Sequence, residues 1–217
     1  MTRIGRISCV AVLLSLPLCG RAAPAPAAAY WMEQDEAVLL VNGYLPDTGK
    51  PSTVYGAGYG IEAQYRYWAN DMFGFAAGVG WENWQAKSGR NRWWGDVDGD
   101  LSLFPIGASV LLRAAEFGHS RLTLEGGLRY AIAASDLTLT VDDLPADRHT
   151  DKVEVGNGLL ARLAAELDIG LSDRTRLLAG VGYQYDLVRG SAKAFDHSLD
   201  DNIFECLFAR LGVKVSF

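Results

Sequence analysis

Three sets of residues in this 217-residue chain have types that could do chemistry. In "FDHSLDD", His197 adjoins Ser198, with Asp196, Asp200 and Asp201 nearby. A serine nucleophile needs a base within hydrogen-bond reach. Neighbouring residues in a loop point apart, so no catalytic residue is assigned here. Asp96, Asp98 and Asp100 form a D-x-D-x-D run, and Asp142, Asp143, Asp147 and Asp151 follow in the next loop. Oxygen ligands so spaced can suit calcium, but the run lacks the glutamate that completes an EF-hand loop. It reads as a solvated acidic surface, and neither metal nor cofactor is expected.

The third set is larger and regularly placed. Glu62, Arg66, Glu82, Glu125, Arg129, Glu154, Arg162, Glu166, Asp168, Arg176, Asp186, Arg210 and Lys214 all fall on the polar side of alternating segments. Seven acids stand against six bases, a balance that fits a paired network. Unpaired ions in a narrow interior cost several kcal/mol each.

The elements that position these charges are β-strands. In "YGAGYGIEAQYRYW", Tyr55, Ala57, Tyr59, Ile61, Ala63, Tyr65 and Tyr67 share one face, while the glycines, Glu62, Gln64 and Arg66 share the other. That two-residue period defines a strand, because side chains alternate across the pleat. Eight such segments are read: 37–45, 55–68, 72–84, 100–114, 121–135, 152–171, 175–188 and 202–217. Two are less regular. The fourth changes phase after Leu101 and Leu103, and a bulge at Phe104-Pro105 would restore it. The sixth, "GNGLLARLAAELDIGL", contains good helix formers. Val153, Val155, Leu159, Ala161, Leu163, Ala165, Leu167 and Ile169 nevertheless all fall on odd positions.

Connections alternate between short ("WAND", "AEFGHS", "SDR") and long. Such sorting is the habit of outer-membrane barrels, with short turns facing the periplasm. Aromatics gather toward both strand ends. Tyr65, Tyr67, Trp68, Phe73 and Phe217 lie at the short-turn end, and Tyr55, Tyr59, Trp81, Trp84, Tyr130, Tyr183 and Tyr185 at the other. Two belts suit two membrane interfaces. The expected fold is therefore all-β: an eight-stranded antiparallel up-and-down transmembrane β-barrel with apolar faces toward lipid. A soluble lipocalin-like barrel would reverse the faces, with an apolar cavity inside. Eight strands leave an interior just wide enough to be filled by side chains, so a plug is expected rather than a pore.

The chain ends "LFARLGVKVSF". With the pattern of the whole segment 30–217, this ending resembles the small eight-stranded outer-membrane barrels, the OmpA/OmpX-like group. The resemblance implies that Leu211, Val213, Val215 and Phe217 carry the signal read by the barrel-assembly machinery. It implies outer-membrane lipid as surroundings and a structural or surface-interaction role. Lipid A deacylases of the same membrane also use histidine and serine. Theirs stand two apart on a lipid-facing strand, unlike the adjacent His197 and Ser198, so the chain is read as no enzyme. Trp93 and Trp94 in "RNRWWGD" are the loop candidates for contact with the outer leaflet, the barrel mouth or an unknown surface partner.

The N-terminus reads as an export signal occupying 1–29. Arg3 and Arg6 precede the apolar "ISCVAVLLSLPLCG", and small-residue cleavage sites follow between Ala22 and Ala29. Cleavage there would remove three arginines and take the net charge from −6 to −9. Such a charge argues against nucleic acid as a partner. Cys9 and Cys19 would leave with the signal. Lipidation of Cys19 is disfavoured by Leu18 before it. Cys206 would remain as a small packing residue.

Overall fold

The structure is a computed structural model describing residues 35–46, 55–86, 96–143, 147–188, 192–194, 197–199 and 204–217. The expected signal segment 1–29 and the tryptophan pair Trp93–Trp94 lie outside the described residues.

Eight strands close a barrel. They are β1 (Glu36–Pro46), β2 (Tyr55–Trp68), β3 (Phe73–Ala86), β5 (Asp100–Phe117), β6 (Ser120–Ser135), β9 (Gly158–Gly170), β10 (Thr175–Val188) and β13 (Cys206–Ser216). Each pairs antiparallel with the next, and β1 meets β13 over the full run from Glu36↔Ser216 to Pro46↔Cys206. Closure leaves no sheet edge, the condition for strands to cross a bilayer.

The side-chain alternation sorts outside from inside. Leu39 (61 %), Val79 (55 %) and Leu211 (67 %) are among many large apolar residues exposed on the outer wall. Arg66, Glu166 and Lys214 are fully buried. An apolar exterior around a charged interior suits lipid, and it is the reverse of a water-soluble carrier. On the outer wall, Tyr59 meets Trp81 edge-on at 5.8 Å and Tyr65 lies 6.5 Å from Phe217.

The interior is narrow, so large inward groups sit opposite glycines. Trp68 faces Gly74 and Trp84 faces Gly58 across β2 and β3. A β-carbon at either glycine would come within 2.9 Å of the facing indole ring. This corrects the expectation that Trp68 and Trp84 belong to the interfacial belts. Both stand on the even, inward parity of their strands, with Arg66 and Glu82.

Two further expectations are corrected. No bulge occurs at Phe104-Pro105: β5 runs in unbroken register with β6 through Leu103↔Ala133, Phe104↔Ile132 and Pro105↔Ala131. Leu101 and Leu103 therefore face inward and are fully buried. The register shift falls instead between Arg113 and Ala115. The expected strand 152–171 is broken at Gly156–Asn157, and its first part belongs to β8 (Asp147–Val155). There the chain leaves the barrel wall. Asn157 fixes the departure by accepting from the Ala133 amide (3.0 Å) and donating to the Tyr130 hydroxyl (3.0 Å).

The long connections are not all loop. β4 (Asp96–Asp98), β7 (Leu137–Asp143), β8, β11 (Ala192–Ala194) and β12 (His197–Leu199) form a second sheet in the order β12-β11-β8-β7-β4. Its Val97, Leu137, Leu139 and Val153 join Tyr44, Trp84, Leu101, Leu103, Leu160, Phe204 and Phe208 in one buried apolar cluster. The long-loop end of the interior is thus a hydrophobic core shared by wall and loop sheet.

A charge on the outer wall should be costly at mid-depth. Val79→Arg is expected to lower stability by about 2–4 kcal/mol, read as a lower denaturant midpoint of the folded band on a heat-shift gel. Gly74→Leu is expected to lower the folded yield through collision with Trp68, with Trp68→Ala restoring much of it in the double variant.

Candidate functional site

The candidate site is the barrel interior. Its middle is a cluster of arginines and glutamates from four strands, β2, β6, β9 and β13. Arg66 of β2 grips Glu166 of β9 through two bonds, Nη1 to Oε2 at 2.7 Å and Nη2 to Oε1 at 2.8 Å. Arg210 of β13 bridges Glu125 (2.6 Å) and Glu166 (2.5 Å). Arg129 of β6 reaches Glu62 at 2.6 Å and Glu125 at 3.3 Å. Arg162 of β9 holds the other oxygen of Glu62 at 2.7 Å. Neutral groups complete the shell. Gln64 donates to Glu62 (2.6 Å) while its carbonyl oxygen accepts from Arg66, and Ser109 donates to Glu125 (2.8 Å).

Paired arginine–carboxylate forks are strong in a water-poor setting. The arrangement offsets the desolvation of most of these ions by more than one opposite charge at once. Arg162 also stacks on Phe208, 4.0 Å from its ring centre, which joins the ionic middle to the apolar cap.

The remaining predicted positions spread along the barrel axis. Glu82 accepts from the Tyr44 hydroxyl (2.7 Å) and the Trp84 indole N–H (3.3 Å), at the boundary with the apolar cap. Asp186 accepts from the Phe204 amide (3.0 Å) near the long-loop end. Asp168 pairs with Lys214 toward the short-turn end, and Arg176 donates to the His119 carbonyl (3.0 Å) at that rim. Glu154 does not join the interior. It is exposed on β8 in the loop sheet, because the chain bends at Gly156–Asn157 and its parity no longer refers to the barrel wall. Leu211, Val213, Val215 and Phe217 face outward, between 42 % and 67 % exposed.

Residues not singled out from the sequence complete the site. Asn42, Tyr44, Gln64 and Ser109 lie on inward positions and are buried. Glu36 and Arg121 stand at strand starts, where the period-two signal has only begun. Their parity with Val38 and Thr123 was the available clue. Asp96 and Asp98 lie on β4, and no three His, Cys, Asp or Glu side chains converge on a metal-sized site among the described residues. His197 and Ser198 form part of β12 rather than a loop.

Closed barrel, apolar exterior and charged interior define the class: a small eight-stranded transmembrane β-barrel. Among solved structures, the fold matches a major outer membrane protein from Thermus thermophilus. The two share 17% identity at a TM-score of 0.53, over 84% of this chain and 99% of that one. Neisserial surface protein A aligns at 14% identity and TM-score 0.49, covering 85% of this chain and 97% of its own. The N-terminal β-barrel domain of Pseudomonas aeruginosa OprF aligns at 14% and 0.43, covering 85% and 99%. At such identities the likeness is one of fold. No protein-family model and no curated protein matches the sequence.

Removing one partner of the fork should strand a buried charge. Glu166→Leu is expected to destabilise by about 3–5 kcal/mol, seen as a lower unfolding midpoint in detergent. Adding Arg66→Met to that variant should recover part of the loss, since Arg210 keeps Glu125.

Proposed function

We propose that this chain is a bacterial outer-membrane β-barrel with a structural and surface-interaction role, its lumen filled by the charge network. One observation carries the reading: inward side chains are buried from the short-turn rim to the loop sheet, among them Arg121, Arg66, Glu166, Trp84 and Phe204. Rim charges, the arginine–glutamate middle and the apolar core under the loop sheet follow one another without a change of wall. A filled barrel supports anchoring and display rather than passage. Its surroundings are outer-membrane lipid, against the apolar wall and its aromatics.

The loop sheet supports the display role. Its strands are held by buried Val97, Leu137, Leu139 and Val153, while Asp98, Thr150, Lys152 and Glu154 are exposed. An ordered polar face of this kind suits a surface partner better than loose loops do. We propose no enzymatic role. For biogenesis, we propose that Leu211, Val213, Val215 and Phe217 are read by the barrel-assembly machinery, consistent with their outward placement on the closing strand.

In planar bilayers the folded protein is expected to give no single-channel steps, and regular conductance would overturn the filled-lumen reading. Deleting Phe217 is expected to lower the heat-shifting species in isolated outer membranes, with little change in the stability of barrel refolded in detergent. Equal loss in both would make Phe217 a packing residue only.

A further inference from the structure

The outer wall is not evenly filled. A groove of about 700 Å³ is sunk into it at the middle of β1 and β13, and it crosses β10 and β9 to reach β6. Gly43, Ala209, Ala179 and Ala165 form its floor, while Val41, Val181 and Leu211 stand beside them at 60% to 67% exposure. Register sets the lining side by side: Gly43 faces Ala209, Ala209 faces Val181, and Val181 faces Ala165. Asn42 and Arg210 lie between these positions but turn to the lumen, where they reach Glu62 and Glu166.

Small outward residues recur at Ala63, Ala77 and Ala108, so smallness alone marks nothing. Gly43 is a separate observation. The inward glycines make room for a neighbour: a β-carbon at Gly58, Gly74, Gly107 or Gly182 would come within 2.9 Å of another group. A β-carbon at Gly43 would have nothing within 4 Å. Backbone conformation does not require a glycine there either, because positive φ among the described glycines is confined to Gly99 and Gly118. A glycine inside a strand weakens it, and often marks the close approach of another group. No described residue makes that approach at Gly43, so the group that makes it comes from outside.

The wall around the groove is the face that meets lipid, and the lining is almost wholly apolar. The groove touches five of the eight wall strands, β1, β13, β10, β9 and β6. A second barrel is itself convex and meets only a few adjacent strands, so it cannot follow such a path. A flexible hydrocarbon chain can. Four interstrand spacings of about 4.8 Å give a path of about 19 Å, against about 15 Å for one leaflet's share of the hydrocarbon core. One acyl chain lying aslant fits that length. In lipid its gain is close dispersion contact rather than escape from water.

We propose that this groove is a lipid site holding one acyl chain of a membrane lipid, with Gly43 and Ala179 as the floor positions whose smallness admits it. The site rests on the membrane-spanning fold and is independent of what the loop sheet displays.

The test counts bound lipid by native mass spectrometry on the folded protein in octyl glucoside, titrated with palmitoyl lysophosphatidylcholine. Binding is expected to saturate at one chain per barrel. Gly43→Leu and Ala179→Leu fill the floor and should each weaken it about tenfold or more, equivalent to about 1.4 kcal/mol. Gly126→Leu, at an outward glycine outside the groove, should bind as the unaltered protein does. Glycerophosphocholine, the same headgroup without a chain, should not compete. Binding that never saturates, competition by the bare headgroup, or equal affinity in Gly43→Leu would overturn the proposal. So would a Gly43→Leu protein with no heat-shifting band, since the glycine would then serve the fold. A heat-shifting barrel that retains no lipid would sink this site and leave the display role standing.

Discussion

A backbone amide or carbonyl inside a bilayer has no water to bond with, and each one left open costs several kcal/mol. Strands can meet that demand only by closing on themselves, and in this chain β1 and β13 do so over eleven register pairs. Everything else follows from closure. It fixes which parity of each strand faces lipid, and it confines the other parity to a cylinder wide enough only for side chains.

Confinement explains the interior's composition. Long ionic groups are tolerated because most of those in the middle meet more than one opposite charge, as Glu125 does with Arg129 and Arg210. They fit because the facing positions are small. Gly78 stands opposite Gln64, Gly107 opposite Arg129 and Gly180 opposite Arg210. Glycine weakens an isolated strand. Here the loss is offset by room for a guanidinium or an indole on the neighbouring strand.

The interior is also graded along its axis. Toward the short turns it is a charged rim, in the middle an ionic cluster, and under the loop sheet an ordinary hydrophobic core. Arg162 on Phe208 and Tyr44 on Glu82 are the contacts through which the ionic part passes into the apolar one. Because Val97, Leu137, Leu139 and Val153 belong to that core, the loop sheet and the barrel wall share packing, and the stability of one depends on the other.

Parity made most of this legible from the residues alone. Period-two alternation placed seven of the eight wall strands to within a few residues, most of the lipid-facing set, and the inward charges from Glu62 to Lys214 other than Glu154. It could not say where a strand leaves the wall. Val153 and Glu154 continue the alternation of β9 without a break in sequence, yet they belong to another sheet, because Gly156–Asn157 turns the chain and only the contacts of Asn157 with Ala133 and Tyr130 reveal it. The "LTLTV" alternation beginning at Leu137 was equally visible, but short strands in a loop declare themselves only once a core exists for them to cover. Pairing was likewise beyond sequence: Arg66 and Glu166 are a hundred residues apart and meet because closure sets β2 across the lumen from β9. Local side-chain periodicity is written in the chain, whereas which charges meet depends on register and curvature, and these are properties of the closed sheet.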